Sequence, residues 1–358
     1  MAEIGLRTLV REWGRIGCLG FGGPPTHIRM LRELCVERHG WIEADEFEDA
    51  IAACNLLPGP SSTQLSIWSA WRLRGWRGAL AGGLAFILPG LAVILVLAAV
   101  FLGQPPDWVV GAGAGAGAAV AAVAVQAGWA LVPSSLTRAA SRMRWAVYLV
   151  VGIAAAALLG PGVVLALLGC GLVELGLRLP SRRGPSALVA PTLLWTAAKV
   201  GALSYGGGFV IIPLMQSDAV AHYHWMSSGD FLNAVALGQI TPGPVVHTVA
   251  VVGYAASGLV GGLAAAVVAF GPSFAFVLVG GRHFGRLRTS PVARSFLDGA
   301  GPAAIGAILG AAVPLARALS EPWQWVVLAG ALVLLLPLHR GVVITLMLAA
   351  AVGVATTL

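Results

Sequence analysis

The sequence predicts an all-α polytopic membrane protein made of two homologous halves, arranged as inverted repeats with discontinuous helices. Three observations carry this reading: an apolar composition, a tandem duplication, and arginines that fall on opposite connections in the two copies.

Composition sets the solvent. With 58% hydrophobic residues, 10% charged residues and a mean hydropathy of +0.86, the chain is far more apolar than a soluble domain, which carries roughly 25% charged residues. Runs without Asp, Glu, Lys or Arg cover 78–106, 108–137, 145–173, 231–281, 299–316, 322–339 and 341–358. About 20 apolar residues cross the hydrocarbon as a helix, so the runs predict roughly ten to thirteen membrane segments, several of them short. Arg7, Arg11, Glu12 and Arg15 interrupt what would be the apolar core of a cleaved signal peptide, and none is expected.

The duplication is written in glycine and proline. Gly17, Gly22, Gly23, Trp41, Phe47, Pro58, Gly59 and Pro60 recur 184 positions on as Gly201, Gly206, Gly207, Trp225, Phe231, Pro242, Gly243 and Pro244. After the Pro-Gly-Pro triplet the offset slips by one residue, so that Gly75, Gly78 and Pro89 meet Gly258, Gly261 and Pro272. Two repeats follow, 1–184 and 185–358. Because Gly and Pro interrupt helices, what has been duplicated is a set of helix breaks.

Charge sets the orientation. The connection holding Arg72, Arg74 and Arg77 is basic, and its counterpart at 255–262 is uncharged. The next connection reverses this: 104–108 has no cation, and its counterpart carries Arg282, Arg286, Arg288 and Arg294. Under the positive-inside rule, equivalent connections face opposite sides of the membrane and both basic ones are cytoplasmic. Inverted repeats with interrupted helices are a transporter architecture, in which breaks near the midplane expose backbone groups to a solute.

Four breaks are candidates for that role. The first, around Gly22, Gly23 and Pro24, is mirrored by Gly206, Gly207 and Gly208. The second, Leu57 to Thr63 with Pro58, Gly59, Pro60, Ser61 and Ser62 inside it, is mirrored by Thr241 to His247. Pro at a first turn beside Ser or Thr marks a helix N-terminus, whose free amides and positive dipole end suit an anion. The competing reading is that the breaks are kinks that let helices pack closely.

Arg15 and Lys199 are matched cations seven residues before Gly22 and Gly206, two helical turns away and on the same face. Lys199 is the only lysine in the chain. A charge in an apolar segment is a functional candidate, although one near a helix end can simply snorkel to the interface. Asn55 and Gln239 are matched amides just before the triplets, and Gln64 and Thr248 are matched just after them. They could bond a solute or freed carbonyls of neighbouring helices. His247, in a long uncharged run, could carry a proton or act as a neutral hydrogen-bonding group. Glu174 is expected at the interface, and the Gly-Ala alternation from Gly111 to Gly117 is expected to allow close helix packing.

Other classes are disfavoured. The four cysteines are scattered without a CxxC pair, so no disulfide framework and no thiolate metal site is indicated, and His222 with His224 alone is weak evidence for a metal. No cofactor fingerprint is present, which ranks an oxyanion reductase last and points away from an enzyme. The net charge of +7 resides in short loops, where topology alone places arginines, so the partner implied is the lipid bilayer and not nucleic acid. An anion channel would share the helix-end chemistry, and an assembly of several copies is compatible with either reading.

The segment running from GFGGPPTHIRM through GWIEADEFEDAIAACNLLPGPSSTQ to GWRGAL resembles the first half of the bacterial chromate transporters. The segment from KVGALSYGGGF to FLNAVALGQITPGP resembles their second half. The resemblance covers most of the chain. It implies a multi-pass protein of the bacterial inner membrane that exports chromate and confers resistance to it, with sulfate as a structural analogue, and no cofactor. His247 stands where a small or aliphatic residue is more usual in that family.

Overall fold

The computed structural model describes residues 4–21, 23–56, 59–103, 105–159, 163–178, 211–281 and 291–357. Among them every regular element is a helix. The first repeat begins with α1 (Leu6–Leu19) and α2 (Pro24–Arg32), which continues as a wide π-helical turn over Glu33–Arg38. Then come α3 (Ala44–Leu56), α4 (Ser61–Phe101), α5 (Asp107–Arg138), α6 (Arg142–Leu158) and α7 (Val163–Arg178). In the second repeat, α8 (Ile211–Gln216) runs into a π turn over Ser217–His222. It is followed by α9 (Ser228–Ile240), α10 (Thr248–Gly280), α11 (Pro291–Arg317), α12 (Pro322–Leu335) and α13 (Val342–Ala355).

Four helical stretches are long and apolar enough to cross a membrane: Ser61–Phe101, Asp107–Thr137, Val245–Gly280 and Arg294–Arg317. Helices α12 and α13 are shorter and equally apolar in kind.

The repeats match in detail. The two π turns occupy equivalent positions and end alike: the Trp41 amide donates to the Cys35 carbonyl and the Trp225 amide to the Ala219 carbonyl, each 2.7 or 2.8 Å long. Each of these tryptophans stacks on the ring two residues before it, His39 or Tyr223.

Neither α4 nor α10 is one rod. Gly75 (φ 59°, ψ −150°) and Gly258 (φ 60°, ψ −153°) adopt backbone angles that essentially only glycine tolerates, and there the chain turns back on itself. A side chain on Gly83 would meet Ile67, and one on Gly82 would meet Ala70, so 61–73 and 76–101 lie antiparallel as a tight hairpin. Glu46 at the start of α3 pairs with Arg72 at the end of 61–73. Helix α3 therefore enters and 61–73 leaves on one side, making a re-entrant hairpin with Gly59 and Pro60 at its tip. At ~1.5 Å per residue, 61–73 places that tip roughly 20 Å from its open end, close to the middle of a bilayer.

The equivalent long segments, 76–101 and 259–280, touch in reverse order: Gly83 meets Phe274, and Leu95 meets Gly262. Equivalent spanning helices that run antiparallel are inverted in the membrane, as the arginine pattern requires.

Around this centre the repeats interlock. Helices α6 and α7 pack on α11 of the other repeat, α12 and α13 pack on α5, and α5 packs on α11. Small residues permit the approach. A Cβ on Gly111 would lie 2.5 Å from the Gly353 carbonyl, and one on Gly299 would overlap the Cys170 carbonyl oxygen. The Gly-Ala alternation of α5 thus does serve close packing. Glu174, expected at the interface, is instead buried, with its side chain 3% exposed. It accepts hydrogen bonds from the Tyr148 hydroxyl (3.0 Å) and the Arg178 guanidinium (2.6 Å), while Arg178 also pairs with Asp298 of α11 at 2.6 Å. These partners take up the charge that burial would otherwise penalise.

Candidate functional site

The tips of the two hairpins and the break between α1 and α2 converge on one buried region. Gly23 has φ 76° and precedes Pro24 at the first turn of α2, so the chain changes direction there before a helix begins. A side chain on Gly23 would touch Val245 of the second hairpin at 3.8 Å. The Gly20 carbonyl, freed at the end of α1, accepts two hydrogen bonds, from His27 Nε2 at 2.7 Å and from the Gly243 amide at 3.1 Å.

Each tip leans on the proline kink of the opposite repeat. Gly59 (φ 126°) has room for no side chain: a Cβ would lie 2.9 Å from Ser273 Oγ, next to Pro272, and would overlap the Gln64 amide. Gly243 (φ 97°) packs on His247, and the Pro242 carbonyl abuts Gly90, next to Pro89. Since Gly59 corresponds to Gly243 and Ser273 to Gly90, these are the two halves of one pseudo-symmetric contact.

Helix 61–73 begins behind Pro60 with no side-chain cap, and its first intrahelical bond is from the Gln64 amide to the Pro60 carbonyl (3.0 Å). The amides of Ser61, Ser62 and Thr63 thus have no intrahelical acceptor. The second tip starts with a 3-10 turn, Val245–His247, whose His247 amide bonds Pro244. Two helix N-termini from opposite repeats, each with positive partial charge, are therefore both buried, and the row Ser62, His27, Gly20, Gly243 links them.

Around them lie buried polar atoms that lack a hydrogen-bond partner: Thr63 Oγ1, Gln239 Nε2, Thr241 Oγ1, Ser273 Oγ and both ring nitrogens of His247. Thr63 and Ser273 are fully buried, and the other three are at most 7% exposed. The Ile87 carbonyl lies near the His247 ring, yet neither nitrogen makes a bond of normal geometry. Buried polar groups are nearly always satisfied, because an unsatisfied one costs about 1–3 kcal/mol. Here several lie on the two hairpin tips and the kinks they lean on, close to two helix N-termini. These groups are neutral amides, hydroxyls and imidazole; among the described residues, no group of three or more His, Cys, Asp or Glu could hold a metal ion.

The structure puts Gln64 against Gly59 at the first tip, and His247 against Gly243 with Gly23 beside Val245 at the second. Ser62 is joined to Gly243 through His27 and Gly20, Gln239 and Thr241 are buried just before the second tip, and Ser61 is half-buried. It does not bring Arg15 to them. That side chain is exposed on α1, whereas its neighbours Ile16 and Gly17 are buried against the 76–101 helix, so the face shared with the break is the opposite one. Gly22, Lys199, Gly206 and Gly207 lie outside the described residues, as does the side chain of Asn55. Sequence reasoning passed over His27 and Ser273, and included Thr63 only as the end of the second break. Only Ser273 had a signal, its place next to the matched proline Pro272.

Two re-entrant hairpins from inverted repeats, each tip packed on the proline kink of the other repeat, are the architecture of a multi-pass membrane transporter. The chain matches the family described as chromate transporter over residues 7–175 and 191–354, and it belongs to that family. It is 31% identical over 335 residues to the chromate transport protein of Cupriavidus metallidurans, covering 87% of this chain and 83% of the relative. It is 29% identical over 337 residues to the probable chromate transport protein of Synechococcus elongatus, covering 87% and 85%. A shorter likeness, 40% over 95 residues, links it to the uncharacterized transporter YwrB of Bacillus subtilis, 26% of this chain and 48% of the relative. No solved structure matches the chain.

Proposed function

We propose that the protein exports chromate across the bacterial inner membrane, holding the dianion between the two hairpin tips. The observation that carries this reading is the set of unpartnered buried donors, Thr63, Gln239, Thr241, His247 and Ser273, beside two uncapped helix N-termini. A tetrahedral oxyanion offers acceptors in four directions, which suits donors converging from opposite repeats. Backbone amides of 61–63 supply further donors, and the glycines of the triplets keep side chains out of the approach. Sulfate has the same shape and charge and should compete. Outward movement of a dianion is favoured by an inside-negative potential by about 2.3 kcal/mol per charge per 100 mV. In this reading Lys199 attracts the dianion, so Lys199→Gln reduces export more than Lys199→Arg does.

The test is uptake of radiolabelled chromate by everted vesicles at a clamped potential. Saturable uptake that accelerates with an inside-positive vesicle interior, competes with sulfate and supports counterflow is expected. Uptake equal to that of vesicles lacking the protein would remove the reading, and flux without saturation or counterflow would replace it with a channel.

A further inference from the structure

His27 lies in neither triplet and in no repeated motif, yet it is fully buried where three elements meet. Its Nε2 lies 2.7 Å from the Gly20 carbonyl and its Nδ1 lies 3.3 Å from Ser62 Oγ. A carbonyl can only accept, so Nε2 carries a proton; with the ring neutral, Nδ1 accepts from the Ser62 hydroxyl. The ring edge also meets Phe86 at 5.0 Å between centroids. The imidazole is therefore fixed on both sides, and it holds the Gly20 carbonyl in the direction from which that carbonyl accepts the Gly243 amide.

The consequence joins the repeats. Ser62 belongs to the first hairpin, Gly20 to the break after α1, and Gly243 to the tip of the second hairpin, so the row Ser62, His27, Gly20, Gly243 runs from one tip to the other. The Gly243 amide is one of the backbone donors a bound oxyanion would need, and here a protein carbonyl occupies it. We propose that His27 is a positioning residue for transport: it aims the Gly20 carbonyl at the Gly243 amide and so latches the two tips together until substrate takes that amide. This inference rests on the tip site proposed above.

The test uses Val245→Cys in a protein whose four native cysteines are replaced, because Val245 is buried at the seam between the second tip and Gly23. The rate of modification by a small thiol reagent is measured in purified protein, with and without chromate. His27→Leu is expected to raise the chromate-free rate by tenfold or more. His27→Gln, whose amide can still donate to Gly20, should stay near the parent. Ser62→Ala should fall between them and guards against His27→Leu failing to fold. In transport, His27→Leu should lower the maximal rate by more than it changes the half-saturating concentration, with His27→Gln restoring it. Equal labelling rates in parent, His27→Leu and Ser62→Ala would overturn the latch, as would His27→Gln behaving like His27→Leu. Chromate failing to alter labelling in any variant would instead remove the tip site, so the two failures are distinct.

Discussion

Glu46 and Arg72, 26 residues apart, are ion-paired across the open end of the first hairpin. Their side chains are 35% and 38% exposed, so the pair is worth only about 0.2–1 kcal/mol. Its value lies in geometry, because it puts the start of α3 and the end of 61–73 on one side of the membrane. The equivalent positions are Asp230 and Ala255. With the basic turn cytoplasmic, single cysteines at 46 and 72 should resist a membrane-impermeant thiol reagent in intact cells, and cysteines at 230 and 255 should react. Labelling of all four from the same side would refute the inverted arrangement.

The unpartnered hydroxyls of Thr63 and Thr241 predict changes of opposite sign in stability and binding. Replacing a buried, unsatisfied hydroxyl by a methyl of the same shape removes a desolvation penalty. Thr63→Val and Thr241→Val should therefore raise the melting temperature in detergent or leave it level, while weakening chromate binding about tenfold each, the loss of a hydrogen bond to a charged acceptor. Thermal unfolding and chromate titration on the same samples check this. Lower stability with unchanged affinity would mean the hydroxyls belong to packing.

What could be read from the sequence was what both repeats must keep. The triplets at Pro58 and Pro242, the turns at Gly75 and Gly258 and the kinks at Pro89 and Pro272 need Gly or Pro for backbone reasons, so duplication left them visible. His27 was invisible to that comparison because its counterpart is Ile211: one histidine serves a contact between repeats that needs no second copy. Arg15 misled for the converse reason, since it matches Lys199 in sequence but sits on the exposed face of α1. The packing of α6 and α7 on α11 was not legible either, because glycine and alanine contacts carry no mark of their partner.

Glu174 ties α7 to α6 through Tyr148 and Arg144, and Arg178 carries the link on to Asp298 of α11. Glu174→Gln keeps the shape and one acceptor oxygen but removes the charge, so Arg144 and Arg178 lose an ion-pair partner and Arg178 keeps only that of Asp298. A loss of about 1–3 kcal/mol is expected, seen as a lower melting temperature, with chromate affinity of the folded protein unchanged. A fall in affinity at intact stability would place this cluster on the substrate path.

Glycine substitutions separate backbone strain from solute access. Gly75→Ala and Gly258→Ala introduce a methyl into open space, so only their positive φ is penalised, by about 1–3 kcal/mol. Gly59→Ala and Gly243→Ala incur the same kind of strain, and their methyls also press on Gln64, Ser273 and His247 around the tips. All four variants should therefore lose stability, and a loss at the triplets alone says nothing about binding. The informative quantity is the chromate Kd of the folded fraction: unchanged in Gly75→Ala and Gly258→Ala, and raised at least tenfold in Gly59→Ala and Gly243→Ala, where the methyl stands between the solute and the amides of the helix start. If all four bind chromate like the parent, the triplets shape the helices and the dianion binds elsewhere.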